Sequence, residues 1–197
     1  MATALHKSLQ TIEDYKKANP HYNDLLDILG EILILREEYR NVMQGSIFSV
    51  NEKIIPQKME GGLPLVDFVG GKFDLTRPRE YFNSLITIAE KKMPEEAQNI
   101  TAIIKDRQLD WEEMIRASFD QTGEDTAAES KKTLDETEDS LDLIDLFVEE
   151  SLRPELEYIA DKYGKIVAKS GWTEGYCPIC GKEPKIGEIR AAEEGKR

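Results

Sequence analysis

The chain has 197 residues, of which 40% are hydrophobic, a formal net charge of −13 and only two cysteines. That is enough apolar material for one sizeable core with a small appendage, and too little cysteine for a disulfide scaffold. No apolar run reaches the roughly 18 residues of a membrane-spanning helix, and the acidic balance disfavours a phosphate backbone as partner.

Leu5, Leu9, Ile12 and Tyr15 recur at helical spacing and predict a short amphipathic helix at the start of the chain. Its first residues, Met1 to Ser8, lack the charged and apolar regions of a signal peptide, so a cytoplasmic protein is expected. Asn19 and Pro20 read as the cap and first position of a second helix. Tyr22, Leu25, Leu26, Leu29, Ile32, Leu33 and Val42 carry that helix to about Met43. Ile34 and Leu35 widen its apolar face, which makes it the expected centre of the core.

From Gln44 to Thr76 the helical pattern breaks at repeated glycines and prolines, while Leu63, Leu65, Val66, Phe68, Val69 and Phe73 keep the segment apolar. The expectation is an irregular arm, 44–76, packed across the helices or offering exposed apolar residues to a partner. Helices resume at Pro78, with Thr76 as cap, carrying Phe82, Leu85, Ile86, Ala89 and Met93. Another starts at Pro94, and Asp110 with Glu113 opens a third. Thr122 to Thr133 reads as a polar connection. The last long helix is expected from about Leu134 to Lys169, kinked or split by Pro154 and stopped by Gly171.

Charge is concentrated late in the chain. Asp120 to Asp161 holds 15 acidic residues against Lys131, Lys132 and Arg153. Two readings stay open for it, a solvated helix face and a docking surface for a basic partner.

The strongest motif is Tyr176-Cys177-Pro178-Ile179-Cys180-Gly181. CxxC is the spacing of half a four-sulfur metal site. Pro178 fixes one φ in the turn, and Gly181 tolerates the backbone that brings loop amides towards the sulfurs. The same spacing also suits a redox pair, whose first cysteine usually heads a helix; here a turn follows, and Ile186 and Ile189 mark a short extended run. Two plain thiols are a third reading.

Little else carries chemistry. His6 and His21 stand in no ligand pattern, and the Gly61-Gly62 and Gly70-Gly71 pairs lack the strand-to-helix context of phosphate loops. Asp67, set among apolar residues, is the one further acid that invites inspection; its ordinary role is turn capping. No catalytic residue set is composed, and the protein is expected not to be an enzyme.

The segment Tyr-Cys-Pro-Ile-Cys-Gly, followed by Glu183-Pro184 and then Glu194-Gly195-Lys196-Arg197, resembles the formate dehydrogenase accessory proteins of the FdhE family. Gly61-Gly62-Leu63-Pro64-Leu65-Val66-Asp67, inside a helical N-terminal half, resembles that family's arm. The resemblance implies a mainly α protein. A helical domain would span 1–170, and the first half of a rubredoxin-like or zinc-ribbon-like metal knuckle would span 171–197, its second CxxC pair lying beyond Arg197. It further implies iron or zinc as cofactor with Cys177 and Cys180 as ligands, and the formate dehydrogenase catalytic subunit as partner during maturation. Two alternatives accompany it: a generic helical interaction adaptor with a structural zinc ribbon, and a CxxC thiol oxidoreductase.

Overall fold

The computed structural model describes residues 4–68, 71, 73–106, 110–119 and 138–183. Among these the secondary structure is helical, with no strand. Seven α-helices follow one another: α1 (Ala4–Ala18), α2 (Asn23–Val42), α3 (Ile55–Glu60), α4 (Thr76–Lys92), α5 (Pro94–Asp106), α6 (Trp111–Phe119) and α7 (Glu138–Lys169). None of the described helices is long and apolar enough to cross a membrane.

The mainly α expectation is met, with several boundaries moved. Asn19 takes the N-cap position and Pro20 the first position as expected, but of a 3-10 turn and without a side-chain cap bond. The Asn19 side-chain amide donates to Tyr15 O at 3.2 Å, closing α1, and Pro20–Tyr22 forms that 3-10 turn before α2. Helix α4 begins at Thr76 itself, whose N–H donates to Asp74 Oδ1 at 3.0 Å. Asp110 does open α6 as expected, accepting from Glu113 N at 3.0 Å. Pro154 lies inside a continuous α7 and does not split it. Having no N–H, it leaves Glu150 O without the usual i+4 donor. The expected connection at Thr122–Thr133, the start of the last helix at Leu134 and the extended run at Ile186 and Ile189 lie outside the described residues.

The centre of the core is α7 with α4, not α2. Tyr81, Phe82, Leu85 and Ala89 of α4 meet Phe147, Val148, Leu152 and Ile159 of α7, and α5 and α6 close the sides with Ile100 and Ile115. In α2 only Ile28 and Gly30 are fully buried, while Leu25, Leu29, Ile34 and Val42 are exposed. Apolar residues surround most of α2, so periodicity could not say which side faces inward. The structure uses it as a bridge: α1 packs on one side, with Leu9 reaching Gly30, and α4 and α7 on the other.

The arm is more regular and more buried than expected. Asn51 accepts from Lys53 N at 3.1 Å to start a 3-10 turn, and Pro56 sits in the first turn of α3, where no N–H is needed. Phe48, Ile55, Met59, Leu65, Val66 and Phe68 are all buried. Phe68 stacks on Phe119 of α6, with ring centroids 4.0 Å apart, and meets Phe48 edge-on at 5.3 Å. Among the described residues of the arm, the exposed large apolar side chains are Ile54 and Leu63, and Val69 lies outside them.

Of the acidic segment, residues 120–137 lie outside the described residues, and several acids of α7 are paired with basic side chains. Glu150 takes a two-pronged contact from Arg36 of α2, 2.7 Å and 2.8 Å, and accepts from Tyr81 Oη at 3.2 Å. Glu155, 2% exposed, pairs with Arg77 at 2.7 Å and accepts from Ile47 N at 2.9 Å, fastening the arm and α4 to α7. Glu157 and Asp161 hold Arg36 and Arg40. Glu150 and Glu155 are thus buried ties between elements, while Glu157 and the exposed Asp161 pair with arginines nearer the surface.

Candidate functional site: the cysteine turn and its groove

Helix α7 ends where Ser170 N and Oγ both donate to Val167 O, at 3.0 Å and 2.7 Å, and Gly171 takes a positive φ of 72°. The chain then turns back on itself. Trp172 Nε1 donates to Tyr176 O at 3.0 Å, and the two rings meet edge-on at 5.4 Å. Cys177 N donates to Lys182 O at 2.8 Å, and Gly181 N donates to Cys177 O at 2.7 Å. Gly181 closes this turn with φ at 81°, a conformation that costs a side-chain-bearing residue about 1–2 kcal/mol.

The two cysteines are free thiols, each partly buried. Cys177 Sγ accepts the Cys180 thiol and the amides of Ile179 and Cys180, which together hold Cys177 down at about 5 despite its burial. Cys180 is pushed well above the ordinary thiol range by the neighbouring Cys177 and by burial, although the Lys182 amide opposes this. Amides converging on both sulfurs are the arrangement that stabilises thiolates bound to a metal. The same donors also stabilise an attacking thiolate.

Three supports hold the turn from behind. Leu65 N and Val66 N of the arm donate to Pro178 O and Ile179 O, both at 2.9 Å. Tyr176 Oη donates to Gly62 O, and the Ile179 side chain enters the helical core. Lys182 pairs with Glu149 of α7, with its ammonium 4.9 Å from the Phe119 ring. In front, the pair opens on a groove of about 600 Å³ between the turn and α7. Leu156, Ala160, Tyr176 and Ile179 give it apolar walls, and Arg153 and Lys182 stand among Glu149, Glu157, Glu174 and Glu183.

Cys177 and Cys180 are therefore brought together as the spacing predicts. The other candidates are not. His6 and His21 are exposed, His21 lying against Tyr22, and Asp67 is exposed on the arm; none lines this groove. Among the described residues no Cys, His, Asp or Glu joins the pair in a group of three that could hold a metal ion. The two thiols fit half of a tetrahedral site. Sequence reasoning missed the arm as the support of the turn, because nothing in the residues near Leu65 marks a backbone partner so far along the chain. No protein-family model, curated protein or solved structure matches the chain.

Proposed function

We propose that this protein is a non-enzymatic accessory factor in formate dehydrogenase maturation, binding the enzyme's catalytic subunit. Cys177 and Cys180 are then two ligands of an iron or zinc site. The reading rests on one observation, the Tyr-Cys-Pro-Ile-Cys-Gly turn with amides on both sulfurs. Its resemblance to FdhE supplies the identity of the client. A bound ion would act here as a structural clamp, drawing the two thiolates together and rigidifying the turn. The chain's own residues prepare that step. Gly181 supplies the left-handed corner, the amides of Ile179, Cys180 and Lys182 offset negative charge, and Leu65 and Val66 keep the turn seated.

The test has two arms. Anaerobic titration with Co(II) is expected to give thiolate-to-metal absorption that disappears in Cys177→Ser and Cys180→Ser. The purified formate dehydrogenase catalytic subunit is expected to retain the wild-type chain on a column. Metal binding without retention would favour the generic adaptor, and retention without metal would remove Cys177 and Cys180 as ligands.

One observation favours a second reading, the lowered Cys177 thiol. In a thiol oxidoreductase Cys177 thiolate would attack a substrate disulfide, and Cys180 would resolve the mixed disulfide. The substrate would leave as a dithiol and the pair as a disulfide. Reduction of a model disulfide by metal-free protein, abolished by Cys177→Ser, would select it.

A further inference from the structure

Away from the cysteines, helix α3 and the last turns of α7 enclose a second groove of about 550 Å³. Its floor is Ile55 and Met59 of the core, and its walls include Pro56 and the exposed Ile166. Lys165 and Lys169 stand along one side, both exposed and neither in an ion pair among the described residues. Among the described residues Glu60 is the only acid in the lining.

This charge is unusual for the molecule. The chain carries −13 overall, and in α7 the acids from Glu149 to Asp161 outnumber Arg153. Beyond Asp161 the helix changes sign, with Lys162, Lys165 and Lys169 and no acid. Lys162 is partly answered by Glu52 at 3.6 Å. Among the described residues the two outer lysines have nothing comparable. Their positions four residues apart put both on one face, with Ile166 beside them.

We propose that this groove docks an acidic amphipathic segment of a partner protein, with apolar side chains over Met59 and Ile166 and carboxylates on Lys165 and Lys169. Charge complementarity selects that occupant. An anionic membrane or nucleic acid would also meet the lysines, but a chain of −13 is repelled by an extended anionic surface, whereas a short segment meets only the local field. Concavity with an apolar floor also suits inserted side chains better than a flat surface. The inference does not rest on the cysteine pair or on the identity of the client.

The probe is a fluorescein-labelled helical peptide of about twelve residues, with leucine at i, i+3, i+4 and i+7 and glutamate elsewhere. Two analogues replace every glutamate by lysine or every leucine by serine. Binding to the 197-residue chain is followed by anisotropy, and amide shifts locate the contact. The expected result is binding of the first peptide alone, with shifts confined to α3 and the end of α7 and affinity falling with salt. The double variant Lys165→Glu, Lys169→Glu should weaken binding at least about tenfold, and the charge-matched Lys7→Glu, Lys91→Glu control by less than about twofold. Ile166→Asn, a milder surface change, should weaken it independently. No binding of the first peptide, equal binding of the serine analogue, shifts elsewhere, or binding only to vesicles containing phosphatidylserine would each overturn the proposal.

Discussion

At the scale of single residues, Cys177 and Cys180 have the same side chain and opposite protonation behaviour, set first by the thiol contact between them and then by the backbone amides. Cys177 collects the partner thiol and two amides, while Cys180 sits beside the charge it has helped to stabilise. The sign follows directly. A thiol held near 5 is ionised at about pH 6, where an ordinary thiol is protonated. Iodoacetamide at about pH 6 is therefore expected to alkylate Cys177 well before Cys180, as read by peptide mass spectrometry. Cys180→Ala removes the first of the stabilising donors and should move the Cys177 alkylation profile towards the ordinary thiol range. An unmoved profile would mean that the amides alone do the work. Here the motif itself was informative, because the CPICG turn makes most of its own hydrogen bonds within a few residues.

At the scale of elements, the ties between helices are charged. Arg36 and Glu150 join α2 to α7 with side-chain exposures of 18% and 10%. Removing one partner leaves the other charged, buried and incompletely answered. Arg36→Met is expected to cost about 3–5 kcal/mol in urea unfolding, and Arg36→Met with Glu150→Met to recover most of it. Burial raises the Glu150 carboxyl above its ordinary range, so the folded chain takes up a proton there more readily than the unfolded chain does. Its contribution is fully present below the unfolded pKa and is lost as pH rises through the folded one. The deficit of Arg36→Met should accordingly be smaller at about pH 5 than at about pH 8, measured by the same unfolding experiment. Helix positions were largely readable from spacing, caps and prolines. The partners of Glu150 and Glu155 were not, since a run of acids in α7 looks the same whether it faces water or arginine.

At the scale of the whole molecule, the arm joins the helical core to the cysteine turn. It buries Phe68 between Phe48, Phe73 and Phe119 on one side and offers Leu65 N and Val66 N to the turn on the other. Phe68→Ala is expected to lower global stability by about 3–5 kcal/mol, seen as a shifted denaturant midpoint. Tyr176→Phe should act more locally, deleting the hydroxyl that holds Gly62 O while leaving the core packed. Limited trypsin digestion is expected to cut after Lys182 several-fold faster in that variant, with the global midpoint nearly unchanged. If cleavage and midpoint move together, the turn and the core unfold as one unit.

Legible in the residues alone are the properties written in short windows: most of the helices outside the arm, the breaks at Asn19-Pro20 and Pro94, the apolar character of the arm and the sulfur-presenting turn. Each depends on residues a few positions apart, where spacing and backbone preference act directly. It took the packed fold to make α2 a bridge and α7 the centre, to set acids of α7 against arginines, and to bring the arm beneath the cysteines. Those outcomes depend on partners such as Tyr176 and Gly62, 114 positions apart, or Arg36 and Glu150, also 114 apart. No local pattern records such pairings, because they are selected by how the faces of several helices fit together.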